Sequence, residues 1–264
     1  MTRHMVALGS SFAAGPGLAP VVDRLAGRSG ENASHQIARA LGARLTDASV
    51  SGATTDTILH TAQRVGPKRF PPQITAIQPG SDADLVTITA GGNDLRYVGS
   101  LSAAAWGSWL AARPLTRALG RRLQRTATQE PPTQHDVDAA ADGLAAIVRA
   151  VRDRAPAARV LLVDYLTIIG TETTRSRLAP FSDDQMTAFR RIADQLRDAF
   201  TTAAARSGAE LVDVAAFRDQ HAVGSVDPWV QGFTAFRKGD AALFHPTPAG
   251  MRAVRDAVLA HLGA

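Results

Sequence analysis

One serine turn, one histidine turn and two glycine-containing turns hold the residues of this chain whose types can do chemistry together. Met5-Val6-Ala7-Leu8 reads as a buried strand that runs straight into Gly9-Ser10-Ser11-Phe12-Ala13-Ala14-Gly15, so a hydroxyl is delivered where the backbone can turn sharply. A serine there is a candidate nucleophile, and equally a helix cap or turn residue. Acyl transfer by serine needs a nucleophile, a base to take its proton and donors aimed at the developing oxyanion. Candidates for the other parts lie in Ser51-Gly52-Ala53-Thr54-Thr55, in Gly91-Gly92-Asn93-Asp94 and in Phe244-His245-Pro246-Thr247-Pro248. Each has an ordinary reading as well: turn glycines, a capping Asn-Asp pair, and a surface histidine before a Pro-initiated helix.

The elements around these turns must bring them together. Continuous apolar runs mark strands at 5–8, 44–50, 84–90, 159–166 and 210–214. Between and after them, helical spacing marks 31–41, a helix capped by Thr54 or Thr55 and running to about Arg64, 136–154, 182–207 and a closing helix to Leu262. The stretch 66–80 is Pro-rich around an amphipathic 73–78. Strands that are apolar throughout and alternate with helices imply an α/β fold whose parallel sheet is covered on both faces, with ligands outside the carboxyl ends of the strands. Ser11, Gly52 and Asn93 follow the carboxyl ends of strands one, two and three, so three polar turns meet on one rim.

With 264 residues, 45% of them hydrophobic, the chain reads as a single domain over 1–264. The absence of cysteine excludes disulfides, thiolate metal sites and cysteine nucleophiles. Neither GxGxxG nor GxxxxGK[ST] occurs and no close His/Asp/Glu cluster has ligand spacing, so no cofactor and no metal are expected. The net charge of +5 is local: six of the 29 Lys and Arg residues lie between Arg96 and Arg125, where there is no Asp or Glu, and the remainder nearly balances the 24 acidic residues. That distribution argues against a broad nucleic-acid surface. Only Met1-Thr2-Arg3-His4 precede the first strand, too few for a secretion signal, and no apolar run is long enough to span a bilayer, so a cytoplasmic protein is expected.

Taken in order, Gly9-Ser10-Ser11-Phe12, Ser51-Gly52-Ala53-Thr54-Thr55, Gly91-Gly92-Asn93-Asp94 and His245-Pro246-Thr247-Pro248-Ala249-Gly250 resemble the four blocks of the SGNH hydrolase superfamily, the GDSL-like esterases and lipases. The resemblance runs from Leu8 to Gly250. It implies a flavodoxin-like three-layer α/β/α sandwich with a five-stranded parallel sheet, and a metal-independent serine ester hydrolase working through an acyl-enzyme. An acyltransferase using the same intermediate and a non-catalytic ligand-binding member are the alternatives. By the same resemblance Ser11 is the nucleophile and an oxyanion donor through its N–H, Gly52 and Asn93 are the other donors, and His245 is the general base and then acid. Ser10 is the less suited serine, because side-chain direction alternates along a strand and the family pattern places the reactive serine second. Two departures stand out. Ser10 occupies the place of the family's usual Asp, and Ala242 the place of the triad acid three residues before the histidine. A backbone carbonyl of Ala242 or Leu243 is expected to orient His245 instead, with Asp240 as the other candidate.

A basic helical insertion is expected at about 96–134. On a helix starting near Pro114, Leu115, Leu119 and Leu123 form one stripe, and Arg113, Arg117 and Arg121 another. One reading is an ordinary surface helix with its leucines on the core. The other is a lid or wall of an acyl pocket in which Trp106, Trp109, Leu115 and Leu119 supply apolar surface, while the arginines of the 113–125 helix meet anionic head groups at a membrane surface or acidic substrates. The expected partner is a small-molecule or lipid ester.

Overall fold

A computed structural model describes residues 3–128, 131–217, 220–236 and 241–264. Five strands form one parallel sheet: β1 (His4–Gly9), β2 (Arg44–Asp47), β3 (Leu85–Thr89), β4 (Arg159–Val163) and β5 (Glu210–Val212), in the order β2-β1-β3-β4-β5. Every residue of β1 and β3 is buried, and their register sets Val6 beside Val86 and Leu8 beside Ile88. That is why these strands read as unbroken apolar runs: helices cover both faces. The helices are α1 (Ser11–Ala14, a single turn), α2 (Ala33–Leu41), α3 (Thr55–Leu59), α4 (Tyr97–Ala111), α5 (Arg117–Thr128), α6 (Gln134–Arg154), α7 (Asp183–Ser207) and α8 (Pro248–Leu262). One layer pairs α2 with α8, and the other joins α6 to α7 and α3. The expected three-layer α/β/α sandwich with five parallel strands is the observed fold.

Chain order reverses direction across the sheet between β1 and β3, which makes the space outside their carboxyl ends the switch point where α/β folds bind ligands. Ser11 follows β1 and Asn93 follows β3. Local signals stop the long helices where the sequence suggests. In α7, Ser182 accepts from the Gln185 N–H in a capping box, Met186, Phe189, Ile192, Leu196 and Phe200 bury one stripe, and Gly208 ends the helix in the left-handed region.

Two expectations change. The helix at Thr54 closes at Leu59, and residues Gln63–Val65 and Lys68–Phe70 pair antiparallel about Gly66-Pro67. Gly66 takes φ +56°, a conformation suited to a tight hairpin and not to a helix running on. In the insertion, Pro114–Thr116 forms a 3-10 turn and α5 begins at Arg117, three residues later than expected. The α5 helix also lies on α4 through a different face than its leucines. A Cβ on Gly120 would collide with the backbone of Gly107 and Ala111, and one on Gly107 would stand 2.7 Å from the Gln124 side chain. Close backbone approach through glycine therefore selects the Gly120/Gln124 face, leaving Leu115 wholly exposed and Leu119 59% exposed. Neither leucine reaches the core. Among the described residues no helix is long and apolar enough to cross a membrane.

Candidate active site

The serine turn is held from three sides. Gly9 has φ +155°, and a Cβ there would stand 2.5 Å from the Thr89 carbonyl oxygen, so β1 and β3 can close on each other only with glycine at that position. The buried Gln73 clamps the same residue, accepting from the Gly9 N–H at 2.8 Å and donating to its carbonyl at 2.9 Å. Ser10 caps α1, and its Oγ lies 2.9 Å from the Tyr165 hydroxyl, which accepts from the Gly92 N–H at 3.3 Å. Burial pushes the Tyr165 phenol up to about 12, so it stays protonated and one neutral hydroxyl bridges the serine turn and the Gly91-Gly92 turn. The local hydrogen bonding that the family's Asp would supply is thus replaced by a Ser-Tyr pair.

With Ser10 turned to Tyr165, Ser11 faces the histidine. His245 Nε2 lies 2.7 Å from Ser11 Oγ, and His245 Nδ1 lies 2.7 Å from the Leu243 carbonyl oxygen. A carbonyl can only accept, so Nδ1 carries the proton and Nε2 presents its lone pair to the serine hydroxyl. Leu243 therefore orients the ring. The Ala242 carbonyl instead accepts from the main-chain N–H of His245 at 3.1 Å, and Asp240 lies outside the described residues. Burial pushes the imidazole down to about 4, the Leu243 carbonyl acting in the opposite sense, so the ring is neutral at pH 7.

The histidine loop reaches back on itself because Phe244, buried against Phe181, adopts φ +58°. Such a conformation costs about 1–2 kcal/mol for a residue with a side chain. Pairing with the neighbouring segment holds it: the Phe244 N–H donates to Gln231, the Gln231 N–H donates to His245, and Val230 bridges Pro246. After the loop, Thr247 caps α8 with Pro248 in the first turn, and a Cβ on Gly250 would collide with the Trp229 carbonyl.

The remaining two turns are tied to each other. Asn93 Nδ2 donates to the Ala53 carbonyl at 2.8 Å, and Asp94 accepts from the N–H and hydroxyl of Thr55 at the start of α3. The capping reading therefore holds for Asp94, across chain segments, while the Asn93 amide retains its second N–H. Gly52 sits beside Ala53 with φ +83°. Among the described residues the N–H groups of Ser11 and Gly52 donate to no protein acceptor. The bare imidazole nitrogen can take the Ser11 proton as the hydroxyl attacks, and open backbone N–H groups can receive the negative charge that forms.

Of the aromatic residues in the insertion, Trp106 packs edge-on against Trp109, Phe233 and Phe236, with ring centroids 5.7, 5.2 and 5.2 Å away, and Arg113 stacks on Trp109 at 3.2 Å. Phe233 lies two residues beyond Gln231, so this cluster adjoins the histidine loop through one short segment. The residues that sequence reasoning did not find are Gln73, Tyr165 and Asp164. Asp164 is buried at the carboxyl end of β4, accepts from the Val214 N–H at 2.7 Å, and is pushed up to about 7 by burial. The carboxyl-end rule that picked out Ser11 and Asn93 applies equally to Asp164 and Tyr165.

A parallel sheet in the order 2-1-3-4-5 with Ser, Gly, Asn and His blocks on its carboxyl rim is the arrangement of an SGNH hydrolase. The sequence pattern of the GDSL-like Lipase/Acylhydrolase family matches residues 7–253, and the chain belongs to that family. It is 32% identical over 228 residues to Lipase 2 of Streptomyces coelicolor, covering 83% of this chain and 72% of that protein. Two crystal structures share the fold across nearly both whole chains: phospholipase A1 from Streptomyces albidoflavus (TM-score 0.71, 21% identity, 98% of this chain and 99% of that one) and an extracellular lipase from Streptomyces rimosus (TM-score 0.69, 22% identity, 98% and 99%).

Proposed function

We propose that this member of the lipase and acylhydrolase family cleaves carboxylic esters through an acyl-enzyme on Ser11, with His245 as general base and then general acid. The observation that carries the reading is the chain of two 2.7 Å contacts from Ser11 Oγ through the imidazole to the Leu243 carbonyl. As the Ser11 oxygen attacks the ester carbonyl, its proton passes to Nε2 and the carbonyl oxygen takes up negative charge. The open N–H groups of Ser11 and Gly52 and the second amide N–H of Asn93 are the donors for that oxyanion. Collapse expels the alcohol, which takes the proton from Nε2. Water, deprotonated by the same nitrogen, then releases the acid and regenerates Ser11. The Leu243 carbonyl fixes the tautomer but lends the imidazolium a dipole and not a full charge.

The aromatic cluster of Trp106, Trp109, Phe233 and Phe236 is the acyl-side wall in this reading, because it is partly exposed apolar surface that adjoins the histidine loop through the segment of Phe233. A fluorophosphonate, which reacts with activated serines, tests the assignment. One equivalent should be incorporated, and peptide mass spectrometry should locate it on Ser11. Labelling on Ser10, or none at a concentration that labels other serine hydrolases, would refute it.

A further inference from the structure

Beside the start of α7 lies a charge arrangement that ester cleavage at Ser11 leaves unused. Arg121 and Arg125, one turn apart on α5, and Arg175, in the segment before α7, line a groove of about 640 Å³ together with Ser108, Ser182 and Asp184. None of the three guanidinium groups makes a hydrogen bond or ion pair among the described residues. Some other arginines do find acceptors: Arg159 pairs with Glu210, Arg206 with Asp142, and Arg190 donates to the carbonyls of Gly170, Thr171 and Thr173. Like charges gathered around one concavity repel each other and gain nothing from packing. Asp184, the carboxylate in the wall, pairs with none of them. The two serines add donors: Ser108 Oγ already accepts from Gln124, and Ser182 Oγ from the Gln185 N–H, so each hydroxyl proton is left to give.

We propose that this groove binds a phosphate group. Planar guanidinium forks match phosphate oxygens in pairs, and three of them with two hydroxyls suit a tetrahedral ion of one to two negative charges better than a single carboxylate. The groove is also built on two segments that adjoin the histidine loop through aromatic contacts. Ser108 stands between Trp106 and Trp109, whose cluster includes Phe233, and Ser182 follows Phe181, whose ring lies 5.7 Å from that of Phe244. The phosphate is either free in solution or part of the alcohol half of a phosphate-bearing ester. Only this second source rests on the ester-hydrolase reading.

Isothermal titration of the full chain with inorganic phosphate at low salt decides the proposal. The wild type should bind saturably at one site, weakened by added NaCl. The triple variant Arg121→Gln, Arg125→Gln, Arg175→Gln should raise Kd by about tenfold or more, the loss of charge-assisted hydrogen bonds. The opposite change, Asp184→Asn, should tighten binding about two- to fivefold, the scale of one exposed charge. Absence of saturable binding, or equal binding by the triple variant with an unchanged melting temperature, would overturn the proposal. Kinetics separate the sources. If the phosphate belongs to the substrate, the triple variant raises KM for dihexanoyl phosphatidylglycerol but not for p-nitrophenyl butyrate, and inorganic phosphate competes only with the phospholipid. If it is free phosphate, binding is lost while both KM values stay unchanged. Should neither ester be hydrolysed, the ester-hydrolase reading fails, and the titration still decides the phosphate site.

Discussion

The Nδ1 atom of His245 meets the carbonyl oxygen of Leu243, two residues earlier in the same loop, at 2.7 Å. A residue in the left-handed region, Phe244, makes so short a return possible, and the paired segment at Gln231 keeps it there. The imidazole is thereby held in one tautomer by its own loop. The protonation behaviour of the ring follows, because burial disfavours the imidazolium and only a dipole opposes that effect.

With His245 pushed down to about 4, kcat/KM should be flat from about pH 5 upward and fall through an acid limb near pH 4, where the base takes up a proton. Asp240→Asn should leave rate and profile nearly unchanged. Ala242→Asp restores the carboxylate of the family pattern and should move the acid limb toward neutral pH without a large gain in plateau rate. An acid limb above pH 6 in the wild type, a large loss in Asp240→Asn, or a strong gain in Ala242→Asp would show that a carboxylate is the partner that matters.

Asn93→Ala should lower kcat by about 10²- to 10³-fold, the usual cost of one oxyanion donor, with KM little altered. The same change removes the bond to Ala53, so thermal unfolding is the control, with an expected loss near 1 kcal/mol. A change confined to KM would assign Asn93 to substrate binding.

Trp106→Ala should cut kcat/KM for octanoate esters far more than for acetate esters, because each methylene in apolar contact contributes about 0.8 kcal/mol. Rates over an ester chain-length series test this. Equal losses at every length would give the aromatic cluster a purely structural role.

Asp164 makes a prediction about stability. Its carboxyl is pushed up to about 7 in the fold against 3.8 in the unfolded chain, so the folded state binds the extra proton between those values. Stability therefore falls as pH rises from about 4 to about 7 and levels off above, by roughly 4 kcal/mol for a shift of this size. Asp164→Asn mimics the protonated acid and keeps an oxygen for the Val214 N–H, so it should remove that decline in urea unfolding and melt higher than wild type at pH 8. A variant with the same slope, or one less stable at pH 8, would contradict the account.

Much of the site was legible because its parts are local. Ser11, Gly52 and Asn93 each follow an apolar strand by a few residues, and the rule that α/β ligands lie outside carboxyl ends places them on one rim without knowledge of contacts. The Leu243 carbonyl was within reach for the same reason, being two residues from the ring it orients. Tyr165 was not. Its partners Ser10 and Gly92 are 155 and 73 residues away, and nothing in the Asp-Tyr-Leu sequence distinguishes a bridging hydroxyl from a core aromatic. Gln73 was missed likewise, its partner Gly9 being 64 residues distant. The leucine stripe of α5 misled because an amphipathic pattern says which residues share a face, not which face finds a partner. Gly107 and Gly120 carried the missing information: two glycines on adjacent helices permit an approach that no leucine face can match.

The central claim is that Ser11 carries the acyl group. Mixing the enzyme with p-nitrophenyl butyrate and following p-nitrophenol in the first turnover tests it most directly, with peptide masses read on the acid-quenched sample after digestion. Wild type should release a burst approaching one equivalent and gain 70 Da on the Ser11 peptide, the mass of a butyryl group less the proton it replaces, as butyrate chemistry requires (~70 Da). Ser11→Ala should show neither burst nor adduct, while Ser10→Ala keeps both. A burst that survives in Ser11→Ala, or an adduct that follows Ser10, would contradict the account.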